Sequence, residues 1–172
     1  LTGFTGIDTL IGGAGIDTIT GGVGADTLTG GDAADTFVYA ANASATVYSS
    51  NSANTDVITD FVSGIDKLSI AAAPTAFNGN FSNYTIALAA MTAANQAFFV
   101  TSENTLYVVA AQNTAAATDV AIELTGVTSL AAGDLQLGSQ GTGSTITLTA
   151  AASTVSPTVA APLLSSAKDD TI

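Results

Sequence analysis

The chain contains no Cys, His, Trp or Arg, and its only basic residues, Lys67 and Lys168, stand against 14 acidic ones. Each absence removes a class of function. Without Cys no disulfide can staple the fold, and without Cys or His the donor sets of zinc, haem and iron–sulfur centres are missing. The imidazole of a nucleophile–base pair is missing as well. Two lysines cannot neutralise a run of phosphates, and a formal charge of -12 is repelled by nucleic acid and by anionic membrane surfaces alike. Long apolar runs are also scarce. The stretch YTIALAAMTAANQAFFV is broken by Asn95 and Gln96, and Pro157 and Pro162 interrupt the tail, so no direct membrane insertion is expected. No leader-peptide pattern is visible. The first residue is Leu1 and not Met, which leads us to expect a fragment or a processed product. Hard cations survive these exclusions, because they prefer carboxylate and carbonyl oxygens.

What the chain does hold is glycine at a fixed interval. Its 172 residues suit one domain or one and a half, and small side chains with 17 glycines point to a β-rich protein. From Gly3 the sequence reads GFTGIDTLI, GGAGIDTIT, GGVGADTLT and GGDAADTFV. The sixth position is always Asp (Asp8, Asp17, Asp26, Asp35) and the seventh always Thr. The eighth is always large and apolar: Leu10, Ile19, Leu28 and Phe37. So many glycines break a helix and weaken an ordinary strand. A flexible glycine-rich linker does not need an apolar residue every ninth place. A period of this kind indicates a solenoid.

These four units resemble the GGxGxDxUx nonapeptides of the RTX (repeats-in-toxin) proteins. The resemblance implies a parallel β-roll in which each unit gives a six-residue turn and a short strand, two units complete a coil, and Ca2+ sits between turns stacked on the same side. The residues it implies for the metal are Gly6, Asp8, Gly13, Gly15, Asp17, Gly22, Gly24, Asp26, Gly31 and Asp35. The physics of the turns agrees. Glycine lets neighbouring backbones approach and expose carbonyl oxygens, and strands lie about 4.8 Å apart. If alternate units stack, Asp8 faces Asp26 and Asp17 faces Asp35. Two carboxylates about 5 Å apart repel by roughly 3 kcal/mol at an effective dielectric near 20, a sign that a divalent cation reverses. The end units depart from the pattern: Phe4 and Thr5 fill the second and third places of the first, and Ala33 replaces a glycine in the fourth. Asp32 is either an extra ligand or a solvated turn residue.

Beyond the units, Thr36 to Ala41 is expected as a strand, followed by a polar loop with at most one weak strand. The segment DVITDFVSGIDKLSI, Asp56 to Ile70, resembles the roll-closing segment of serralysin-type secreted metalloproteases. The resemblance implies that Val57, Ile58, Phe61, Ile65, Leu68 and Ile70 cap the open end of the core. Asp60 and Asp66 either complete a last calcium site or, for Asp66, cap a turn. Ile86 to Asn95 reads as a short helix, Ala97 to Ala111 as a hairpin around Ser-Glu-Asn, and Val120 to Thr125 as a strand. The stretch DVAIELTGVTSLAAGDLQL resembles the end of RTX domains that carry a type I secretion signal, but here the chain continues past it. Asp119 and Asp134 read as solvated, and Glu103 and Glu123 lack obvious partners. The expectation is therefore an all-β chain with one short helix: a roll over 1–40, a β-rich sandwich- or roll-like cap over 41–137, and an extended Ser/Thr/Ala-rich arm over 138–172.

Asp170-Thr171-Ile172 copies positions six to eight of the nonapeptide, and Leu1-Thr2 copies positions eight and nine. Each end thus looks like a cut through a roll. We therefore expect a secreted, calcium-dependent structural module that joins copies of itself head to tail in a bacterial surface layer, fibre or adhesin. The competing expectation is a non-catalytic, secretion-assisting domain of a type I secreted hydrolase such as a serralysin-like protease or lipase. No catalytic constellation is expected on either reading.

Overall fold

The computed structural model of the chain describes residues 1–39, 54–71, 74–109 and 120–136. The expected arm over 138–172 and the weak strand before Asn54 lie outside these residues. Four short strands follow the four units: β1 (Thr9–Ala14), β2 (Thr18–Ile19), β3 (Thr27–Asp32) and β4 (Thr36–Tyr39). β1 pairs with β3 and β2 with β4, both parallel, with Thr9 opposite Thr27 and Thr18 opposite Thr36. Two units therefore make one coil, and units two apart stack. Even the first residues obey the period, since Thr2 bridges Thr20 and Thr5 bridges Val23.

The segment expected to close the roll instead continues it. β5 (Asp56–Ile58) lies parallel on β3, and β6 (Lys67–Ile70) lies parallel on β4, giving a third coil. A fourth follows, because β10 (Val120–Leu124) lies parallel on β5 and β11 (Leu135–Gln136) parallel on β6. Apolar side chains stack down the axis in two columns. Leu10, Leu28, Ile58 and Leu124 are successive partners in one sheet, and Ile19, Phe37, Leu68 and Leu135 in the other. All but Leu10 are buried, and burying each such side chain is worth roughly 1.5–3 kcal/mol. Of the residues expected to cap the core, Ile58, Phe61, Leu68 and Ile70 are buried. Val57 is only half-buried and Ile65 is 49% exposed. Strand alternation turns Val57 outward, and Ile65 belongs to the turn before β6.

On one edge of the roll the connections are shortest in the first two coils, from β1 to β2 and β3 to β4, and grow only modestly from β5 to β6 and from β10 to β11. On the other edge they lengthen, between β4 and β5 and between β6 and β10. The longer one contains β7 (Ala76–Phe81), α1 (Tyr84–Ala90), β8 (Gln96–Val100) and β9 (Thr105–Val109). β9 pairs antiparallel with β10 and with β8, and β7 lies parallel to β8, extending the first sheet to seven strands. The hairpin is buried on both faces. Ala97, Phe99, Leu106 and Val108 join the roll core, while Phe98, Val100 and Val109 pack with Ala87 and Met91 under the helix. The helix starts earlier than the expected Ile86 because the Asn83 side chain caps it, accepting from the Ile86 N–H at 3.0 Å. It ends before the expected Asn95. There the Gln96 Oε1 accepts from the N–H groups of Thr92 and Ala93 at 2.9 and 3.2 Å and bends the chain into β8.

Candidate metal centre

Stacking brings the unit aspartates into two ladders. The Asp8 N–H donates to Asp26 Oδ1, and the Asp26 N–H donates to Asp56 Oδ1, each at 2.9 Å. On the opposite edge the Asp17 N–H donates to Asp35 Oδ1, and the Asp35 N–H to Asp66 Oδ1, again at 2.9 Å. One oxygen of each carboxylate thus holds the preceding coil in register. The second oxygens of Asp26 and Asp35 are buried and have no hydrogen-bond partner among the described residues. A buried ionised oxygen without a donor is costly, and its second lone-pair set suits a cation.

The turns also press carbonyl oxygens against the glycines stacked on them. The carbonyls of Gly6, Gly13, Gly21 and Gly30 lie against the α-carbons of the glycines stacked on them. A Cβ on Gly12 would stand 2.5 Å from the Gly30 carbonyl oxygen, 2.7 Å from Asp17 Oδ2 and 2.9 Å from its Cγ. The first glycine of each unit is therefore a cradle for the unit's own carboxylate, and in the first two units for the carbonyl of the next coil as well. At Gly24 the requirement is double. Its φ is +140°, and a Cβ there would overlap the Gly6 carbonyl. Ala33, which stands where the fourth unit lacks that glycine, still adopts a φ of 80°, at a cost of about 1 kcal/mol.

Gly15, Gly22 and Gly31 also take positive φ in these turns. The site residues expected in the four units are thus brought together as two stacks, turns 3–8 with 21–26 and turns 12–17 with 30–35. Asp32 is exposed beside them. Asp60 and Asp66 adjoin the second stack, Asp66 as the next rung of its ladder and Asp60 through the backbone of turn 30–35. Asp60 Oδ1 accepts from the Gly30 N–H at 2.9 Å and its Oδ2 from the Gly31 N–H at 2.8 Å. Asp66 Oδ2 accepts from the Val62 N–H at 2.8 Å. Among the described residues no three acidic side chains converge on one point. A hard cation held here would take two carboxylates at most and complete its shell with turn carbonyls. Buried carboxylate oxygens without donors, glycine cradles and an all-oxygen donor set fit that chemistry.

Sequence reasoning missed three residues around this region. Asp56 is the third rung of the first ladder; its signal was Asp56-Val57-Ile58, the Asp-x-apolar end of the nonapeptide. Burial lifts its carboxyl from 3.8 to about 7, the Asp26 N–H pulls the other way, and the Asp26 charge adds to the rise. Tyr39 is buried with no partner for its hydroxyl among the described residues. Burial, then the charges of Asp56 and Asp26, hold its proton on. Asp134, expected to be solvated, is fully buried. It accepts from Ser63 Oγ at 2.6 Å, the Gly64 N–H at 2.8 Å and the Ala131 N–H at 2.9 Å, with Lys67 Nζ at 3.8 Å. Glu103 also has a partner, the Tyr107 hydroxyl at 2.6 Å.

Residues 2–136 match the family described as the peptidase M10 serralysin C-terminal domain. No curated protein matches the chain. Among solved structures, the chain is similar to the solution structure of the AlgE6R3 subunit of the Azotobacter vinelandii mannuronan C5-epimerase. The two are 20% identical with a TM-score of 0.43, over 91% of this chain and 83% of that one.

Proposed function

Because the chain belongs to the serralysin C-terminal family of RTX β-rolls, we propose that it is a secreted, non-enzymatic module that folds on extracellular calcium. The observation that carries this reading is the pair of buried, donor-free carboxylate oxygens, Asp26 Oδ2 and Asp35 Oδ2, each set against the first glycine of its own turn. Asp8, Asp17, Asp26 and Asp35, with the carbonyls of Gly6, Gly13, Gly21 and Gly30, would hold the ion. Calcium, when bound, supplies the positive charge that offsets the stacked carboxylates. At cytosolic calcium levels the repulsion is uncompensated and the coils stay loose enough for export. Outside, at about tenfold above a Kd of order 0.1 mM, each site adds roughly 1.4 kcal/mol. Several sites then weigh heavily against a total stability of roughly 5–15 kcal/mol.

The finer part of the proposal is that copies join head to tail at the cell surface, in a layer, fibre or adhesin. Two features support it. β1 is an edge strand of the seven-stranded sheet. The large apolar side chains of the first two turns are mostly solvent-exposed, with Phe4 at 81%, Ile7 at 82% and Ile16 at 80%. The runner-up, a calcium-binding and secretion-assisting domain of a secreted hydrolase, is favoured by the family match itself. Circular dichroism with calcium and with excess EDTA tests the common core of both readings; equal strand content in the two would overturn it. If a chain lacking residues 165–172 polymerises as the intact one does, the head-to-tail assembly is wrong. A zinc-protease motif in the parent reading frame would decide for the hydrolase.

A further inference from the structure

Between the third and fourth coils the roll opens a cleft of about 360 Å³, with turn 60–63 on one side and the loop 125–129 after β10 on the other. These two segments are tied to their surroundings at their ends. The Thr125 N–H donates to the Ile58 carbonyl at 2.9 Å. At the far end Asp134 accepts from Ser63 Oγ at 2.6 Å and from the Gly64 N–H at 2.8 Å, and the Leu130 N–H donates to Asn80 Oδ1 at 2.8 Å. A gap remains between the ties, over the buried side chains of Phe61 and Val127. The cleft is thus held open by the fold itself, and its volume is that of a small-molecule site.

The lining decides what fits. Asp60 is its one charged residue; Thr125, Thr128 and Ser129, all exposed, bring hydroxyls, and Val62, 49% exposed, brings an apolar face. An anion has nothing to hold it. No cation lines the cleft, Lys67 Nζ lies 3.8 Å from Asp134 Oδ1, and the chain carries a formal charge of -12. A guanidinium fits poorly too. The Asp60 carboxylate already spans two adjacent N–H groups, Gly30 on Oδ1 at 2.9 Å and Gly31 on Oδ2 at 2.8 Å. The two-oxygen face that a guanidinium fork grips is therefore taken. A hard cation would meet that single carboxylate. What Asp60 keeps is one acceptor position on each oxygen, beside hydroxyls that both donate and accept. Hydroxyls on a ring complement that set: they donate to the carboxylate, trade hydrogen bonds with the threonines and the serine, and leave a C–H face for Val62.

We propose that this cleft binds a neutral saccharide unit, with Asp60 accepting hydrogen bonds from its hydroxyls. The N–H groups of Gly30 and Gly31 fix the direction of the carboxylate, so binding has little left to order on the protein side. Hydrogen bonds to an ionised acceptor are the stronger kind, which makes Asp60 the anchor and the loop hydroxyls its helpers. The site goes beyond the calcium reading, since its walls belong to the third and fourth coils.

NMR titration of the full chain in calcium tests this, with methyl glucoside, methyl mannoside and methyl galactoside as separate probes. At least one should move the amide signals of 60–63 and 125–129 saturably, with a Kd on the order of millimolar for so small a ligand. The uronic-acid counterpart of that glycoside should bind at least about tenfold more weakly, because its charge meets Asp60. Thr128→Val removes an exposed hydroxyl and keeps the shape; it should weaken binding about three- to tenfold and leave Tm within about a degree. Asp60→Asn should abolish binding. Because Asp60 also braces turn 30–35, Thr128→Val and Ser129→Ala together carry the comparison if that variant does not fold. No saturable shift with any of the glycosides up to about 100 mM, shifts that miss the cleft, or binding that survives the substitutions overturns the proposal. Tighter binding of arginine amide than of every glycoside assigns the cleft to a cationic ligand and overturns it as well. None of these results bears on whether chelation unfolds the roll, so the two readings stand or fall separately.

Discussion

Replacing Gly12 by Ala tests the cradle directly. The backbone there is not left-handed, so the substitution brings steric conflict without conformational strain. The new methyl would stand 2.5 Å from the Gly30 carbonyl oxygen and 2.7 Å from Asp17 Oδ2, where ordinary contacts lie near 3.5 Å. The carbonyl is backbone and cannot swing away, so turns 12–17 and 30–35 must separate. Overpacking of this kind costs about 1–3 kcal/mol. Moving the Gly30 carbonyl and the Asp17 carboxylate also weakens the proposed site by about tenfold, a further ~1.4 kcal/mol at saturating ion. For a chain of this size the sum lowers Tm by about 5–18 °C. Gly133→Ala is the matched control, because its Cβ position is open, and it should stay within about 0.5 kcal/mol. Thermal melts in calcium and in EDTA, with a calcium titration of each variant, measure both terms. If Gly12→Ala melts within a degree or so of Gly133→Ala and binds calcium as the parent does, the stacked-turn geometry is wrong.

Two further outcomes follow from local conformation and charge. Ala33→Gly restores the glycine of the fourth unit at a position with φ 80°, and should stabilise the protein by about 1 kcal/mol in denaturant titrations; an unchanged midpoint would refute strain at that turn. Asp56 binds its proton more tightly folded, with a pKa of about 7 against 3.8. In the metal-free protein its contribution is therefore full below the unfolded value and is lost as pH rises through about 7, by as much as about 4 kcal/mol. Asp56→Asn should flatten urea-derived stability across that window, and a profile already flat in the parent would contradict the shift.

The roll was legible where each coil repeats the last. Asp, Thr and an apolar residue recur at fixed places, so strands, stacking partners and the inward column from Leu10 to Phe37 follow from the period. The third coil kept only Asp56-Val57-Ile58 and Asp66-Lys67-Leu68, separated from the units by an insertion that breaks the period, and so read as a lid. The fourth was legible only as a strand at Val120 to Thr125, not as a coil. Ile122 and Glu123 take the places of Asp and Thr, and only Leu124 keeps the pattern. Strand β7 hides behind Asn78, Gly79 and Asn80, whose polar groups reach Gln96 and Leu130 rather than solvent alone. Asp134 sits in AAGDLQ, which carries no local mark of burial; Ser63 and Gly64, far back in the chain, bury it. Long-range contacts of that sort leave no trace in periodicity.

Because the rungs join residues 18 apart in the first coils, each unit finds its place from the unit two further on. Losing the second nonapeptide would leave β3 and β4 beside β5 and β6 and carry only the first unit across to the opposite sheet, where its Asp, Thr and apolar places still match. Losing two would shorten the spiral by a whole revolution. Such a roll can therefore be trimmed from its amino-terminal end by half-revolutions, and a laboratory deletion of 12–20 should fold as a deletion of 3–20 does.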